Sequence, residues 1–268
     1  MKIAAIQMVS SSDVAANCAS ARALLAQAAA GGAEMAVLPE YFCLFGQQDT
    51  DKLQIAESPG SGPLQQFLSD CAKEFQLWLV GGTVPLATAQ HDKVSNTTLV
   101  YNPQGACVAR YDKIHLFRFA QGQEQYDETR VLLPGHQCVA LDVPSRDGHT
   151  WRVGLSICYD LRFPELYRAL QADLLLVPSA FTATTGQAHW EVLLRARAIE
   201  NLAYLAAAAQ GGPHTNGRST WGHSMLIDPW GSVMASHSTG QAVVMADLDF
   251  AGLASARNRL PALSHRVL

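Results

Sequence analysis

Little in these 268 residues invites a strongly charged partner. Lys and Arg number 19 against 23 Asp and Glu, the net charge is -4 and the pI about 6.1, so a phosphate backbone or an anionic membrane finds no basic field to bind. No apolar run approaches the roughly 20 residues of a bilayer span, and the apolar part of the opening MKIAAIQMVSSSD is too short for a signal segment. Six cysteines are present, Cys18, Cys43, Cys71, Cys107, Cys138 and Cys158, but no CxxC pair, and a chain of this size needs no covalent staples. His115, His189, His214 and His223 come without a His-x-x-x-His or an acidic cluster, which argues against zinc. We therefore expect reduced thiols, a cytoplasmic protein, no metal, and neither nucleic acid nor membrane as partner.

What is present suits a compact α/β domain. Hydrophobic residues make up 49% and charged residues 16%, within the size range of one domain, so residues 1–268 are read as one unit. Ile3 to Val9 reads as a buried strand, Val14 to Ala30 as a helix capped by Asp13 and closed by Gly31-Gly32, and Glu34 to Leu38 as a second strand. Leu64 to Phe75 follows as helix and Leu77 to Val84 as strand. Asn96 to Tyr101 and Cys107 to Tyr111 form a hairpin turning at Asn102 to Gly105. The second half repeats the alternation: strand Arg152 to Ile157, helix Pro164 to Leu170, strand Asp173 to Val177, helix Ala188 to Asn201, strand Leu202 to Ala208. Strands Ser224 to Asp228, Ser232 to Ala235 and Ala242 to Asp247 close it, with a turn at Asp228 to Gly231. Helices alternating with buried strands and antiparallel hairpins predict a mixed sheet covered by helices. Residues 250–268 read as a tail, either frayed or packed across a dimer.

Three residues have settings that invite chemistry. Cys158, in VGLSICYDLRFPELYR, ends a strand of small and β-branched residues just before a helix with Pro164 in its first turn. Strand ends of this kind are where open α/β sheets place ligands, although a lone cysteine is also an ordinary buried side chain. Glu40, in AVLPEYF, puts a carboxylate at the end of another buried strand; its ordinary reading is a loop or capping glutamate. Lys113, in RYDKIHLF, has an apolar setting from which it either snorkels to water or serves as a buried cation.

LPEYF, YDKIHLF and GLSICYDLRFPEL, in this order and spacing, resemble the three signatures of the nitrilase superfamily, the carbon–nitrogen hydrolases, and the resemblance runs from Ile3 to about Arg266. It implies a four-layer α-β-β-α sandwich and a homodimer or larger assembly. It also implies Glu40 as general base, Lys113 as the cation that meets the transition state, Cys158 as nucleophile, and an auxiliary glutamate. For the last, Glu128 in GQEQYDETRVLLPG matches better and Glu124 is the competitor. The segment PSAFTATTGQAHWEVLLRARAIEN resembles the family's substrate loop and helix, which makes Ser179, Phe181 and Thr182 candidate substrate contacts together with Tyr41 and Tyr159.

The implied reaction is metal-free and cofactor-free: hydrolysis of a small linear amide by water through a thioester on Cys158. RFPELYRAL, the TTGQAHWEVLLRARAIEN helix and WGHSMLIDPWG are similar to the Nit branch, and within it the arginine-proline pair of RFPEL and the PSAF loop point to an amidase acting on deaminated glutathione. An ω-amidase acting on α-ketoglutaramate is the first alternative and N-carbamoyl amide hydrolysis a more distant one. A catalytically idle scaffold and a redox-sensing thiol protein are the readings from other classes.

Overall fold

The computed structural model describes residues 1–122 and 124–267; Gln123 and Leu268, the last residue of the expected tail, lie outside the described residues. In the first half the strands are β1 (Lys2–Gln7), β2 (Met35–Val37), β3 (Trp78–Val80), β4 (Val84–Ala87), β5 (Val94–Tyr101) and β6 (Cys107–Asp112). They form one sheet in the order β4-β5-β3-β2-β1, with β6 also paired to β5. Its centre is parallel, β1 to β2 to β3, and β5 runs antiparallel to β3.

A hairpin, β7 (Arg118–Gln121) and β8 (Glu124–Asp127), leads into the second half. There the strands β9 (Ala140–Pro144), β10 (Thr150–Leu155), β11 (Leu174–Leu176) and β12 (Tyr204–Ala207) precede a small ribbon, β13 (Gly211–Pro213) with β14 (Ser219–Trp221). They are followed by β15 (Ser224–Ile227), β16 (Val233–His237) and β17 (Ala242–Asp247). The second sheet has the order β16-β15-β12-β11-β10-β9 with a parallel centre, and β17 returns to flank β1 in the first sheet.

The helices are α1 (Val14–Ala30), the single turn α2 (Asp51–Gln54), α3 (Pro63–Phe75), α4 (Pro164–Leu170), α5 (Ala183–Asn201) and α6 (Phe250–Arg259). Side-chain alternation along β1 shows how the layers arise. Ile3 and Ala5 enter the core shared with the second sheet, whereas Ala4 and Ile6 enter the core beneath α1 and α3. Strand β2 repeats this, with Met35 and Val37 on one side and Ala36 on the other. The second sheet packs its other face on α4 and α5. Both sheets are thus covered twice, giving four layers, helix-sheet-sheet-helix, and the central strands β2, β11 and β12 are apolar on both faces for that reason.

Several boundaries differ from the sequence reading. The expected strand from Leu77 to Val84 is broken into β3 and β4 because Gly81-Gly82 turns the chain. Gly82 has φ +54, and a Cβ there would strike the carbonyl oxygen of Pro39. Helix α5 begins five residues before the expected Ala188, where the Thr182 hydroxyl accepts from the Thr185 N–H at 3.3 Å. Ten residues of the expected C-terminal tail form α6, which is docked on its own chain: Leu253 and Ala256 are buried, and Arg257 bonds Asp173 at 2.6 Å and the Ala172 carbonyl at 2.8 Å. The alternation pattern misses β7 to β9 and the β13–β14 ribbon, which are short and half exposed. Among the described residues no helix is long and apolar enough to cross a membrane.

Candidate active site

Two strand ends, one from each sheet, meet in a cavity lined by Glu40, Lys113, Glu128 and Cys158 among others. Three residues past β2, Glu40 is buried, with its side chain 1% exposed. Its Oε1 accepts from Lys113 Nζ at 2.9 Å and from Asn96 Nδ2 at 2.9 Å, and its Oε2 accepts from the Ala180 N–H at 2.9 Å. The next residue, Tyr41, takes φ 58, a left-handed conformation that disfavours side chains, and it turns the chain away from the strand.

Lys113 follows β6 and is equally buried. Its ammonium contacts Glu40 and both oxygens of Glu128, each at 2.9 Å. Its backbone is fixed on both sides, the N–H donating to the Asn96 carbonyl at 2.9 Å and the carbonyl accepting from Gly135 at 2.8 Å. At Gly135 a Cβ would strike the Asp112 carbonyl oxygen, so the Pro-Gly turn can press against this loop only with glycine. Glu128 also accepts from the Tyr41 hydroxyl at 2.8 Å and the Phe117 N–H at 2.7 Å. Glu124 sits elsewhere, accepting from Thr184 at 3.2 Å. The structure therefore puts Glu128, not Glu124, against Lys113.

Cys158 opens a short turn after β10 in a left-handed conformation, φ 49. Asp160 holds that turn: fully buried, it accepts from the Ile157 N–H at 2.9 Å and the Tyr111 hydroxyl at 2.7 Å. The His115 N–H donates to it at 3.0 Å, and the His115 ring lies 2.7 Å away. Arg197 of α5 donates to the Leu161 carbonyl at 2.9 Å and braces the same turn from behind. Asn96, Asp160 and Arg197 were not singled out in the sequence. Asp160 carried a signal, a carboxylate just past the apolar strand that ends at Ile157; Asn96 stands among Ser95, Thr97 and Thr98, and Arg197 in a helix of mixed polarity, so composition marks neither.

Electrostatics fix the resting protonation. Burial works to lower the Lys113 ammonium, the carboxylates of Glu128 and Glu40 work to raise it, and the sum lies well above the ordinary lysine value. Burial and then the Glu40 carboxylate, which also hydrogen-bonds the thiol, push Cys158 well above its ordinary value against the opposing pull of Lys113. Two carboxylates around one ammonium already leave a net negative charge, so a resting thiolate would add like charge in a poorly solvated place. The proton stays on sulfur, and Glu40 is beside it to accept.

Of the expected substrate contacts, Tyr41, Tyr159, Phe181 and Thr182 line the cavity. Ser179 does not: it is fully buried and its hydroxyl turns inward to the Val177 carbonyl at 3.2 Å, because Ser179 continues the strand pairing that Ala180 leaves. The four histidines have separate partners: Asp160 for His115, Arg162 for His189, Ser10 and Thr220 for His214, and the Trp221 carbonyl for His223. Among the described residues no three His, Cys, Asp or Glu side chains gather as a metal site, and Cys158 is the only cysteine lining the cavity.

A buried acid, ammonium and thiol thus come together in one cavity at the ends of two mixed sheets. The family model for carbon-nitrogen hydrolases matches residues 2–258, and the chain belongs to that family. It is 40% identical over 269 residues to a deaminated glutathione amidase of Synechocystis, covering 98% of this chain and 97% of that one. It is 37% identical to the human omega-amidase NIT2, covering 97% and 92%. Among solved structures, the NitFhit protein of C. elegans superposes with a TM-score of 0.88 at 36% identity, over 99% of this chain and 64% of that longer one.

Proposed function

We propose that this amidohydrolase cleaves the linear amide of deaminated glutathione, with Cys158 as nucleophile, Glu40 as general base and acid, and Lys113 as electrostatic partner of the oxyanion. The observation that carries the roles is the contact of one carboxylate, Glu40, with both the Cys158 thiol and the Lys113 ammonium inside one cavity. The Synechocystis relative, similar over nearly its full length, supports the substrate.

In the reaction Glu40 takes the thiol proton as the sulfur adds to the amide carbonyl. The carbonyl electrons move to oxygen, where the Lys113 ammonium and the backbone N–H of Tyr159 meet them; the N–H of Cys158 is committed to the Pro178 carbonyl at 3.0 Å. Each such donor is worth about 3 kcal/mol in the barrier. As the carbon–nitrogen bond breaks, protonated Glu40 passes its proton to the leaving nitrogen, leaving a thioester. Glu40 then deprotonates water for attack on that thioester. Collapse releases the carboxylic acid and returns the proton to sulfur. Glu128 orients Lys113 throughout.

The enzyme works as a homo-oligomer in the cytoplasm. Val192, 69% exposed on α5, and the exposed Ile199 and Trp230 support an apolar contact face, and six free cysteines suit a reducing compartment. Release of the amine or ammonia is to be compared on deaminated glutathione, α-ketoglutaramate and an N-carbamoyl amide. A higher kcat/KM on the first supports the proposal; preference for α-ketoglutaramate would make the ω-amidase reading, favoured by the likeness to NIT2, the correct one.

A further inference from the structure

The outer end of the cavity holds charges that the hydrolytic steps leave unused. Lys52 of α2 has a side chain only 12% exposed; its ammonium lies 4.6 Å from the centre of the Tyr41 ring and 3.8 Å from Asp49 Oδ1. Arg218, just before β14, donates to the same Oδ1 at 3.2 Å and lays its guanidinium over the Tyr126 ring at 5.3 Å. All three charged groups line the cavity. Two cations therefore share one carboxylate oxygen.

The neighbouring Asp127 does not make up the balance. The Asp127 carboxylate accepts from the Thr129 N–H at 3.1 Å and its hydroxyl at 2.6 Å and faces Arg118 at 3.5 Å. Burial draws the Lys52 ammonium below its ordinary value and Arg218 adds to this, with Asp49, Glu128 and Glu40 only partly opposing it. A nearly buried ammonium at 3.8 Å from a shared counter-ion gains from a second anion, and a guanidinium presents paired donors to a carboxylate. Tyr41 links the two ends: its ring faces Lys52 and its hydroxyl bonds Glu128 at 2.8 Å.

We propose that Lys52 and Arg218 form a carboxylate-binding end of the substrate cavity, so that the enzyme selects linear amides bearing a carboxylate remote from the scissile bond. This rests on the amidase reading and adds the anchor that sets its specificity. The carboxylate bridges the two cations, and Tyr41 fixes the spacing from that anchor to the reacting bond.

The test pairs glutaramate with valeramide, two five-carbon amides that differ in the terminal carboxylate. Steady-state kinetics are compared for the unaltered enzyme and for Lys52→Met, Arg218→Met and Arg218→Lys. The unaltered enzyme is expected to favour glutaramate. In the two Met variants the ratio of the two kcat/KM values should collapse by about tenfold or more, through KM, with partial recovery in Arg218→Lys. Equal losses on both amides would mark the two residues as structural and overturn the inference. Hydrolysis of valeramide in preference to glutaramate by the unaltered enzyme would overturn it while leaving the amidase reading intact. Hydrolysis of neither these nor any other amide would overturn both.

Discussion

Both carboxylate oxygens of Glu128 lie 2.9 Å from the Lys113 ammonium, so the lysine is gripped by a second carboxylate besides that of Glu40. The grip keeps a cation at full charge in a place where burial alone would favour its neutral form. Replacing Lys113 by Met leaves two carboxylates facing each other without their counter-ion. Urea unfolding of Lys113→Met should show a loss of about 3 kcal/mol or more, alongside loss of turnover. A variant as stable as the parent would mean that the three charges are not coupled as the distances indicate.

Glu40→Gln keeps the size of the side chain but can neither take the thiol proton nor return it to the leaving nitrogen. We predict a fall in kcat of about 10³-fold together with a lowered melting temperature, since the single amide oxygen can serve Asn96 and Lys113 but then leaves the Ala180 N–H facing an NH2 group. A rate within tenfold of the parent would assign the base to another group.

The pH dependence of stability has a definite sign. The folded-state values of Lys113 and Cys158 are both raised, so their contribution is complete below the unfolded values, about 10.4 and 8.5, and is lost as pH climbs above them. Thermal melts should be level through neutrality as far as these groups are concerned and fall from about pH 9 upward. The first part of that fall should be shallower in Cys158→Ala, though not abolished, because burial also raises the thiols of Cys18, Cys43, Cys71 and Cys107.

Asp160 reaches no reacting atom, yet it ties the Cys158 turn to the Lys113 loop through Ile157, Tyr111 and His115. Asp160→Ala leaves several buried donors unpaired and should reduce stability by about 3 kcal/mol; Asp160→Asn, which keeps the shape and one acceptor, should restore part of it. Alkylation of Cys158 by iodoacetamide, followed by peptide mass, checks the positioning: its rate should change in both variants, an outcome that a purely global loss of stability below the melting range does not give.

Much of this site was legible in the chain before any coordinates. Pro39-Glu40 and Cys158 each follow a run of apolar residues, and a run with no polar alternation marks a strand buried on both faces, whose end is a natural position for reactive groups. Lys113 was legible through its motif rather than its surroundings, since an apolar neighbourhood suits a snorkelling lysine equally well. Ser179 was misplaced because alternation at the end of β11 depends on where the strand stops, and a shift of one residue turns the side chain from cavity to core. Asn96 escaped notice because it lies within a fully buried strand, where only the partner across the fold, Glu40, explains its polarity. The α6 helix was hidden by a polar composition; what holds it is Arg257 reaching Asp173, a contact between residues far apart in sequence.

The central claim is that a covalent acyl enzyme forms on Cys158 with Glu40 as the proton carrier. Rapid acid quench during turnover, followed by intact and peptide mass, tests it most directly. The prediction is an adduct of the acyl mass on the peptide containing Cys158, absent from Cys158→Ala and strongly diminished in Glu40→Gln. An adduct on another residue, or full turnover in Cys158→Ala, would contradict it.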